Sequence, residues 1–365
     1  MLNKLKYTKM KTLRFKTIIL IFAIFAGNIL ATGKTNKRVL SEEYTKKFHE
    51  QYTIDHNTKF EITNKFGDIN IKNWDKDEIS IDATITVKSS NKDKADKIFN
   101  KIEVTISKEG NLVKAVTKII DKIHNSDFSI DYVVNTPSYI NIQLYNKFGS
   151  VYIEELTGKS NISVKYGNLK ADKIYDDNTK PLSKINLGYC NKANITEFNW
   201  GEIFIKYSKI HIEKSKALII VSKYSKVNVD NSSSIVAESG YDSYNLGDVQ
   251  NLVIVSKYTD VNIDKVDKLI DLDSRYGNYR IENIPAEFES VKVLNKYGKI
   301  NIGISPNASY KLDALIKYAD IRYPEGRVSK IKNNNELKVN GKIGKKATKS
   351  TVKITSQYGD IYLTE

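Results

Sequence analysis

The chain has 365 residues, with 58 basic and 43 acidic side chains, a formal net charge of +15 and a single cysteine, Cys190. One thiol excludes an internal disulfide, so stability has to come from sheet hydrogen bonds and packing, and we expect this thiol to be buried rather than reactive. The moderately basic, mixed-sign composition favours solubility and weak attraction to polyanions, and it selects no particular partner.

The amino terminus has the pattern of a secretory signal peptide. Positive charge over residues 11–16 precedes an apolar run over residues 17–31, with small residues near its end. The run is too short to span a bilayer stably, so we expect no transmembrane segment after cleavage. We predict a signal peptide over residues 1–31, a leader over 32–51, and export to the periplasm or the cell surface. Six basic residues would leave with the signal, which lowers the formal net charge from +15 to +9.

A motif first found at residues 64–71, Asn-Lys-Phe-Gly-Asp-Ile-Asn-Ile, returns only at residue 146. The residues between the two copies keep strand patterning but lose any period. They predict strands over 78–87, 102–106, 112–119 and 128–134, and a short polar helix over 91–100. We expect residues 52–145 to hold the first repeat strand and an antiparallel cap with one short helix, because the uncapped end of a repeat stack is an exposed sheet edge.

An aromatic residue, here called the marker, then recurs at steps of 17 to 23 residues between Tyr166 and Tyr318. The twelve markers are Phe66, Phe148, Tyr166, Tyr189, Tyr207, Tyr224, Tyr241, Tyr258, Tyr276, Tyr297, Tyr318 and Tyr358. In eleven copies the positions +3 and +5 from the marker are apolar, and after Tyr189 the pair is displaced by one residue, to Ala193 and Ile195.

Period-2 spacing places such a pair on one face of a strand, and a second strand precedes each marker. We interpret the displaced pair after Tyr189 as a bulge or an altered corner. A fixed short period is typical of a solenoid. The sequence therefore predicts an all-β fold, a parallel β-helix or β-solenoid over residues 146–365 with coils of 17–21 residues.

These segments resemble a bacterial family of proposed adhesins, a domain of unknown function with β-helical Asn-Lys-Phe/Tyr-Gly-Asp-Ile repeats. The matching segments are 64–74, 146–156, 164–174, 295–302 and 357–363. The resemblance covers residues 52–365 and implies a β-helical, exported, adhesin-like protein. The family offers no established catalytic residues to transfer.

The residue before the marker is basic in nine of the twelve copies. The candidate binding ridge consists of Lys165, Lys206, Lys223, Lys257, Arg275, Lys296 and Lys317, with Tyr207, Tyr224 and Tyr258 beside them. Stacked coils would align these side chains into a linear cationic ridge and an exposed tyrosine ladder. Such a surface could hold an anionic glycan, another envelope component or a protein by charge and ring packing, with salt-sensitive affinity. We expect no nucleic-acid partner.

A structural interpretation competes with this one. The rings would seal the corners of the coils, and acidic residues at position +6 would offset the basic column and discourage edge-to-edge aggregation. Those acidic residues are Glu154, Asp172, Glu213, Asp230, Asp264 and Glu282. We expect the structural interpretation to account for most of the pattern.

The sequence carries no catalytic, cofactor or metal-binding signature. The four histidines lack zinc-type spacing, and the oxygen-rich stretches 175–178 and 271–273 lack the calcium patterns. We therefore predict a noncatalytic, adhesin-like scaffold or binding protein of the bacterial envelope, without a cofactor. Two alternatives stay open: a polysaccharide lyase or hydrolase of the β-helix type, using carboxylates such as Asp260, Asp264 and Asp273, and an accessory protein of envelope stress or signalling.

Overall fold

The structure is a computed structural model, and it describes residues 41–175 and 181–365. The predicted signal peptide, residues 32–40 of the predicted leader and the oxygen-rich residues 176–178 lie outside the described residues. The chain from Ser41 to Glu365 forms one compact unit. Within the two described ranges, no helix has the length and apolar character that a membrane crossing requires.

Apart from one short helix in the described ranges, regular structure here consists of strands. From the amino-terminal side the elements are β1 (Glu42–Thr53), β2 (Lys59–Lys65), β3 (Ile69–Asn73), β4 (Glu78–Ser89), α1 (Lys92–Phe99), β5 (Ile102–Glu109), β6 (Leu112–Ile119), β7 (Asp127–Thr136), β8 (Asn141–Lys147), β9 (Val151–Leu156), β10 (Ser160–Lys165), β11 (Leu169–Ile174), β12 (Lys184–Gly188) and β13 (Ala193–Lys206). They continue as β14 (Lys209–Lys223), β15 (Lys226–Gly240), β16 (Ser243–Lys257), β17 (Asp260–Arg275), β18 (Tyr279–Ile284), β19 (Ser290–Lys296), β20 (Ile300–Ile304), β21 (Tyr310–Lys317), β22 (Ile321–Arg322), β23 (Gly326–Asn333), β24 (Glu336–Ile343), β25 (Thr351–Gln357) and β26 (Ile361–Thr364).

Each repeat forms one rung of a β-solenoid, which confirms the predicted fold class. The strand segments that precede the markers pair in parallel as one face, here called the pre-marker sheet, and the segments that follow the markers pair as the post-marker sheet. In the central rungs, single strands of 14 to 16 residues, β13 to β17, run from the post-marker sheet into the next pre-marker segment. The marker itself forms the tight corner between the two sheets.

The side chains at +3 and +5 point into the solenoid, as the alternation predicts. All of them are buried except Tyr323, which is partly exposed. Ala193 lies in register with Leu169 and Ile210, which are +3 residues of the adjacent rungs, so the Tyr189 corner holds one extra residue. Burial of each aliphatic side chain contributes about 1.5 to 3 kcal/mol, so the stacked rungs supply the core that a single rung lacks.

Near each end, the rung order differs from the sequence order. Strand β2 lies between β6 and β8, and β3 lies between β7 and β9. At the other end β25 lies between β19 and β21, and β26 lies between β20 and β22. The last copy of the motif is therefore the penultimate rung in space, and the rung of Tyr318 is the outer one.

Antiparallel strands cover both ends of the stack. At the amino-terminal end β1 pairs with β4, β4 pairs with β7, and β5 pairs with β6. Helix α1 begins after Asn91, whose side chain accepts a hydrogen bond from the backbone N–H of Lys94. These elements confirm the antiparallel cap with one short helix, and β1 shows that residues of the predicted leader belong to it. At the other end the β23–β24 hairpin pairs with β21.

Cys190 is fully buried in the Tyr189 corner, as expected. Its Sγ lies 3.3 Å from the carbonyl oxygen of Val164. Burial raises the pKa of this thiol, which disfavours the reactive thiolate.

Candidate functional site

Every marker residue has a backbone conformation that is unusual for a side chain of its size. The φ angles of all twelve markers lie between 50° and 63°. For a residue with a Cβ, this left-handed region costs about 1 to 2 kcal/mol, and glycine would avoid that cost. The repeat nevertheless keeps an aromatic ring at each corner, so the ring must offset the backbone strain or serve binding.

The marker rings form one continuous aromatic ladder. Successive rings stack with centroid distances of 4.7 to 5.1 Å and interplanar angles of 3° to 22°. In space the order is Phe66, Phe148, Tyr166, Tyr189, Tyr207, Tyr224, Tyr241, Tyr258, Tyr276, Tyr297, Tyr358 and Tyr318. Such stacking contributes about 0.5 to 1.5 kcal/mol per pair, which is comparable to the corner strain.

Stacking also decides what the ladder can offer a ligand. Each inner ring has a neighbour on both faces, so its exposed surface consists of the ring edge and the hydroxyl group. A sugar therefore has no free ring face to pack against along the ladder, contrary to the ring-packing hypothesis drawn from the sequence. The ten tyrosines of the ladder instead present a row of phenol hydroxyls at the rung spacing.

The recurring Asn and Gly of the motif build one type of corner. The Nδ2 of Asn295, two residues before its marker, donates to the carbonyl oxygen of Gly298, one residue after it, at 2.6 Å. A Cβ at Gly298 would lie 1.9 Å from the carbonyl oxygen of Gly277 in the adjacent rung. Glycine is needed here because the backbones approach so closely, and not for a left-handed φ, which Gly298 does not have.

In the central rungs a buried hydroxyl or carboxylate replaces that glycine. Ser225 Oγ donates to the carbonyl oxygen of Lys223 at 2.9 Å and accepts from the N–H of Ser208 at 3.3 Å. Asp242 accepts the N–H of Ser225 at 2.7 Å and the Oγ–H of Ser239 at 2.7 Å. These bonds link consecutive corners and fix the direction in which each ring leaves the backbone.

The structure aligns the seven basic residues of the predicted ridge into one basic column beside the ladder. In register order the column runs Lys165, Gly188, Lys206, Lys223, Gly240, Lys257, Arg275, Lys296, Gln357 and Lys317. The ammonium groups of Lys206 and Lys223 lie 5.4 and 5.2 Å from the ring centroids of their own markers, Tyr207 and Tyr224. Tyr258 occupies the corresponding ladder position beside Lys257.

Within the part of the chain that the structure describes, most of this charge has no counter-ion. Lys317 pairs with Glu336 at 3.0 Å, whereas no described carboxylate lies within ion-pair distance of Lys206, Lys223 or Lys257. A line of like charges at the rung spacing concentrates positive potential, and it favours a ligand with several negative charges.

The acidic column does not neutralise the basic column by direct contact. Members of the acidic column pair on the post-marker sheet instead: Asp230 contacts His211 at 2.9 Å, Asp172 contacts Lys170 at 3.8 Å, and Glu282 contacts Arg280. The structural interpretation drawn from the sequence therefore holds for the corner-sealing rings, but pairing between the two charged columns is not found among the described residues.

A groove lies between the ladder and an exposed apolar strip on the pre-marker sheet. It encloses about 780 Å³, and Lys206, Lys223 and Lys257 line it. The residues three positions before the markers line the groove opposite the ladder, and they are here called the floor column. Two of them, Phe204 and Val255, are 38% and 49% exposed. This strip was not predicted from the sequence.

The signal for the strip was the run Ile219-Ile220-Val221, in which alternation breaks down. Ile220 is buried, while Ile219 and Val221 on either side are 42% and 38% exposed. A strand that is apolar on both faces is typical of a sheet covered on both sides.

The three carboxylates considered for polysaccharide cleavage do not form one cluster. Asp260 and Asp264 lie four residues apart in the post-marker part of β17, about 13 Å along the strand, and Asp273 lies in its pre-marker part. Over residues 41–175 and 181–365, no group of three or more His, Cys, Asp or Glu side chains could hold a metal ion. The geometry therefore gives no support to the lyase or hydrolase alternative.

Three solved structures illustrate the similarity to other proteins. A proposed cell adhesion protein from Clostridium sporogenes is 12% identical, over 87% of this chain and 99% of that chain, with a TM-score of 0.17. A proposed adhesin from Parabacteroides merdae is 13% identical, over 88% and 97%, with a TM-score of 0.31. A proposed lipid-binding protein from Parabacteroides distasonis is 11% identical, over 87% and 97%, with a TM-score of 0.23. None of these values is high enough to transfer a function.

No curated protein is significantly similar to the chain. A family model does match: residues 199–364 match the Toastrack domain DUF4097. The matched part holds the rungs from Tyr207 to Tyr358, including the central part of the ladder and of the basic column.

Proposed function

We propose that this protein is a noncatalytic, adhesin-like scaffold of the bacterial envelope that binds an anionic polymer along the basic column. The observation that carries the proposal is the alignment in register of Lys206 with Lys223 and of Lys257 with Arg275, on either side of Gly240, with no described carboxylate in ion-pair contact with any of the four. The signal-peptide pattern supports export, and the match to a Toastrack family model is compatible with a scaffold.

The stacked rungs suit such a role. The face is held rigid by hydrogen-bonded strands on both sides, so little conformational entropy is lost when a ligand docks. A linear polymer with repeated charges can engage several lysines at once, and each added contact becomes an intramolecular event. Because the charges are exposed, salt should weaken the complex strongly.

The test is a charge reversal with a matched control. The variant Lys206→Glu/Lys223→Glu/Lys257→Glu is compared with Lys216→Glu/Lys330→Glu/Lys332→Glu, which has the same net charge but lies off the column. Binding to immobilised polygalacturonate and to polyphosphate is measured over a range of salt. The column variant should lose about tenfold or more in affinity, a difference of about 1.4 kcal/mol, and the control should change little. Equal losses in both variants, or no binding by the wild type, contradict the proposal.

Localisation is tested separately. Protease shaving of intact cells, followed by detection of this chain, distinguishes a surface protein from a periplasmic one. Retention of the uncleaved amino terminus in the cytoplasm contradicts export.

A further inference from the structure

The basic column is interrupted at two central rungs by glycine. Gly188 lies in register between Lys165 and Lys206, and Gly240 lies between Lys223 and Lys257. Neither glycine has a positive φ. The three atoms nearest to a Cβ at Gly188 belong to the Lys165 side chain, at 3.4 to 3.9 Å, and only Lys223 Cγ, at 3.9 Å, would meet one at Gly240.

The backbone therefore does not require glycine at these positions. Both glycines end their strands, Gly188 in β12 and Gly240 in β15, and glycine adds conformational entropy to the unfolded chain without a φ that requires it here, so a structural advantage is not evident. What glycine creates is a gap in the row of column side chains, here called a glycine niche, with a lysine in the rung on either side; at Gly188 the stem of Lys165 lies along the niche.

The floor column changes character at the same two rungs. Beside Lys206, Lys223 and Lys257 it carries Phe204, Val221 and Val255, which line the groove, whereas beside Lys165 it carries Ser163. Beside the two glycines it carries Asn186 and Glu238, and both also line the groove. Each niche thus combines two flanking ammonium groups with one side-chain oxygen that can accept a hydrogen bond.

The rings at these rungs are also less covered. Tyr189 and Tyr241 are each 49% exposed, whereas Tyr207 and Tyr224 are 41% and 40% exposed. The difference arises because the lysines of the latter two rungs lie over their own rings. Tyr189 and Tyr241 also line the groove.

We propose that the two glycine niches are subsites for the acidic sugar residues of a linear glycan. The inference rests on the proposed function and deepens it by naming the ligand class. The carboxylate or sulfate of a sugar lies between the two flanking lysines, and its hydroxyl groups donate to Asn186 or Glu238. The niches are three rungs apart, about 15 Å at 4.9 to 5.0 Å per ring pair, so one extended chain spans both.

Glu238 discriminates this ligand from a simple polyanion. A polyphosphate has no hydroxyl along its chain to donate to a carboxylate, and its charges are repelled by Glu238. A hydroxylated acidic sugar satisfies both the lysines and the carboxylate. Charge-assisted hydrogen bonds of this kind are among the stronger polar contacts.

The first experiment fills the niches without removing charge. Gly188→Val and Gly240→Val introduce a β-branched side chain, which suits a strand, and its Cβ would meet only flexible lysine stems at 3.4 Å or more among its nearest neighbours, so both variants should fold. Ser234→Val, on the same strand as Gly240 but outside the groove, is the matched control. Each niche variant should bind polygalacturonate about tenfold more weakly, with an unchanged or higher Tm, while the control binds like the wild type.

The second experiment uses Glu238→Ala with two probes. The proposal expects weaker binding of polygalacturonate and stronger binding of polyphosphate. If the groove only attracts negative charge, both polymers should bind more tightly, and this outcome overturns the glycan subsites. Vesicles rich in phosphatidylglycerol form a third arm, and tighter binding to vesicles than to polygalacturonate also overturns them.

Failure of this inference can be told apart from failure of the proposed function. If both valine variants bind polygalacturonate like the wild type while the lysine reversals do not, the subsites are wrong and the column remains. If the wild type binds no anionic polymer, both are wrong.

Discussion

The rings of Tyr297 and Tyr358 stack with a centroid distance of 5.0 Å and 5° between their planes, although the whole rung of Tyr318 separates them in the sequence. Tyr318 contacts the opposite face of Tyr358 at 4.9 Å. The last repeat is thus clasped between two earlier ones, and the first repeat is held in the same way between β6 and β8. At each end, the copy of the motif that is terminal in the sequence is therefore not the outermost rung in space.

Because Tyr358 stacks on two rings and Tyr318 on one, the Tyr358 ring should contribute more to the free energy of unfolding. Tyr358→Ala removes two stacking contacts, whereas Tyr318→Ala removes one. We expect Tyr358→Ala to lower the free energy of unfolding by about 0.5 to 1.5 kcal/mol more than Tyr318→Ala. Urea unfolding measures the difference, and equal losses would show that ring stacking contributes little at this end.

The left-handed corners reverse the usual ranking of alanine and glycine. At Tyr224, with φ of 52°, glycine avoids a strain of about 1 to 2 kcal/mol that alanine retains. Tyr224→Gly should therefore be more stable than Tyr224→Ala in urea unfolding. The control pair is Lys223→Gly and Lys223→Ala on the adjacent strand position, where alanine should be the more stable by about 0.5 to 1 kcal/mol. The same ranking at both positions contradicts the corner strain.

Glycines with and without a close neighbour should respond in opposite ways to an added methyl group. A Cβ at Gly298 would lie 1.9 Å from a backbone oxygen, so Gly298→Ala forces the rungs apart and should cost about 1 to 3 kcal/mol or more. Gly240→Ala meets nothing closer than 3.9 Å and should leave Tm unchanged or raise it. Differential scanning calorimetry of the two variants checks this, and a destabilised Gly240→Ala would be inconsistent with an open niche.

Buried tyrosines predict a loss of stability at alkaline pH. Burial raises the pKa of Tyr279 to about 12, and its hydroxyl lies 2.6 Å from Ser256 Oγ. Because the folded pKa exceeds the unfolded value of 10.0, the stabilisation is complete below pH 10 and is lost as pH rises toward 12. Over those two units the loss is about 2.7 kcal/mol.

Tyr279→Phe lacks this ionisation, so its stability deficit relative to the wild type should shrink between pH 10 and 12. Tyr132, whose pKa burial also raises to about 12, offers an independent copy of the test near the other end. Urea unfolding across this pH range measures the gap. A gap that does not change with pH would contradict the assignment.

The local pattern predicted a large part of the fold. Alternation at +3 and +5 identified Val227 and Val229, or Ile300 and Ile302, as inward pairs, because side-chain direction in a strand depends only on position along it. The one-residue displacement at Ala193 was visible for the same reason. The basic residues before the markers were bound to align once the rungs stacked in register.

Other features depend on contacts between distant segments. Lys206 and Lys223 have no described carboxylate in contact because the acidic side chains at +6 lie on the post-marker sheet, and only the structure shows this. Coverage of both faces of Tyr207 by its neighbours required the ring orientation, which the left-handed corner sets. The position of Gly240 between Lys223 and Lys257 follows from the strand register, which the sequence alone does not give.

By itself, the sequence determined the rung, its length, its inward residues and the existence of one charged and aromatic line, because these follow from the local geometry of a strand and a corner. Tertiary structure alone decided the order of the rungs near the ends, the pairing of charges and the free surface of the rings. The physical reason is that loop-closure entropy changes slowly with loop length, so a 40-residue connection costs little more than a short one, and packing rather than sequence order selects the neighbour.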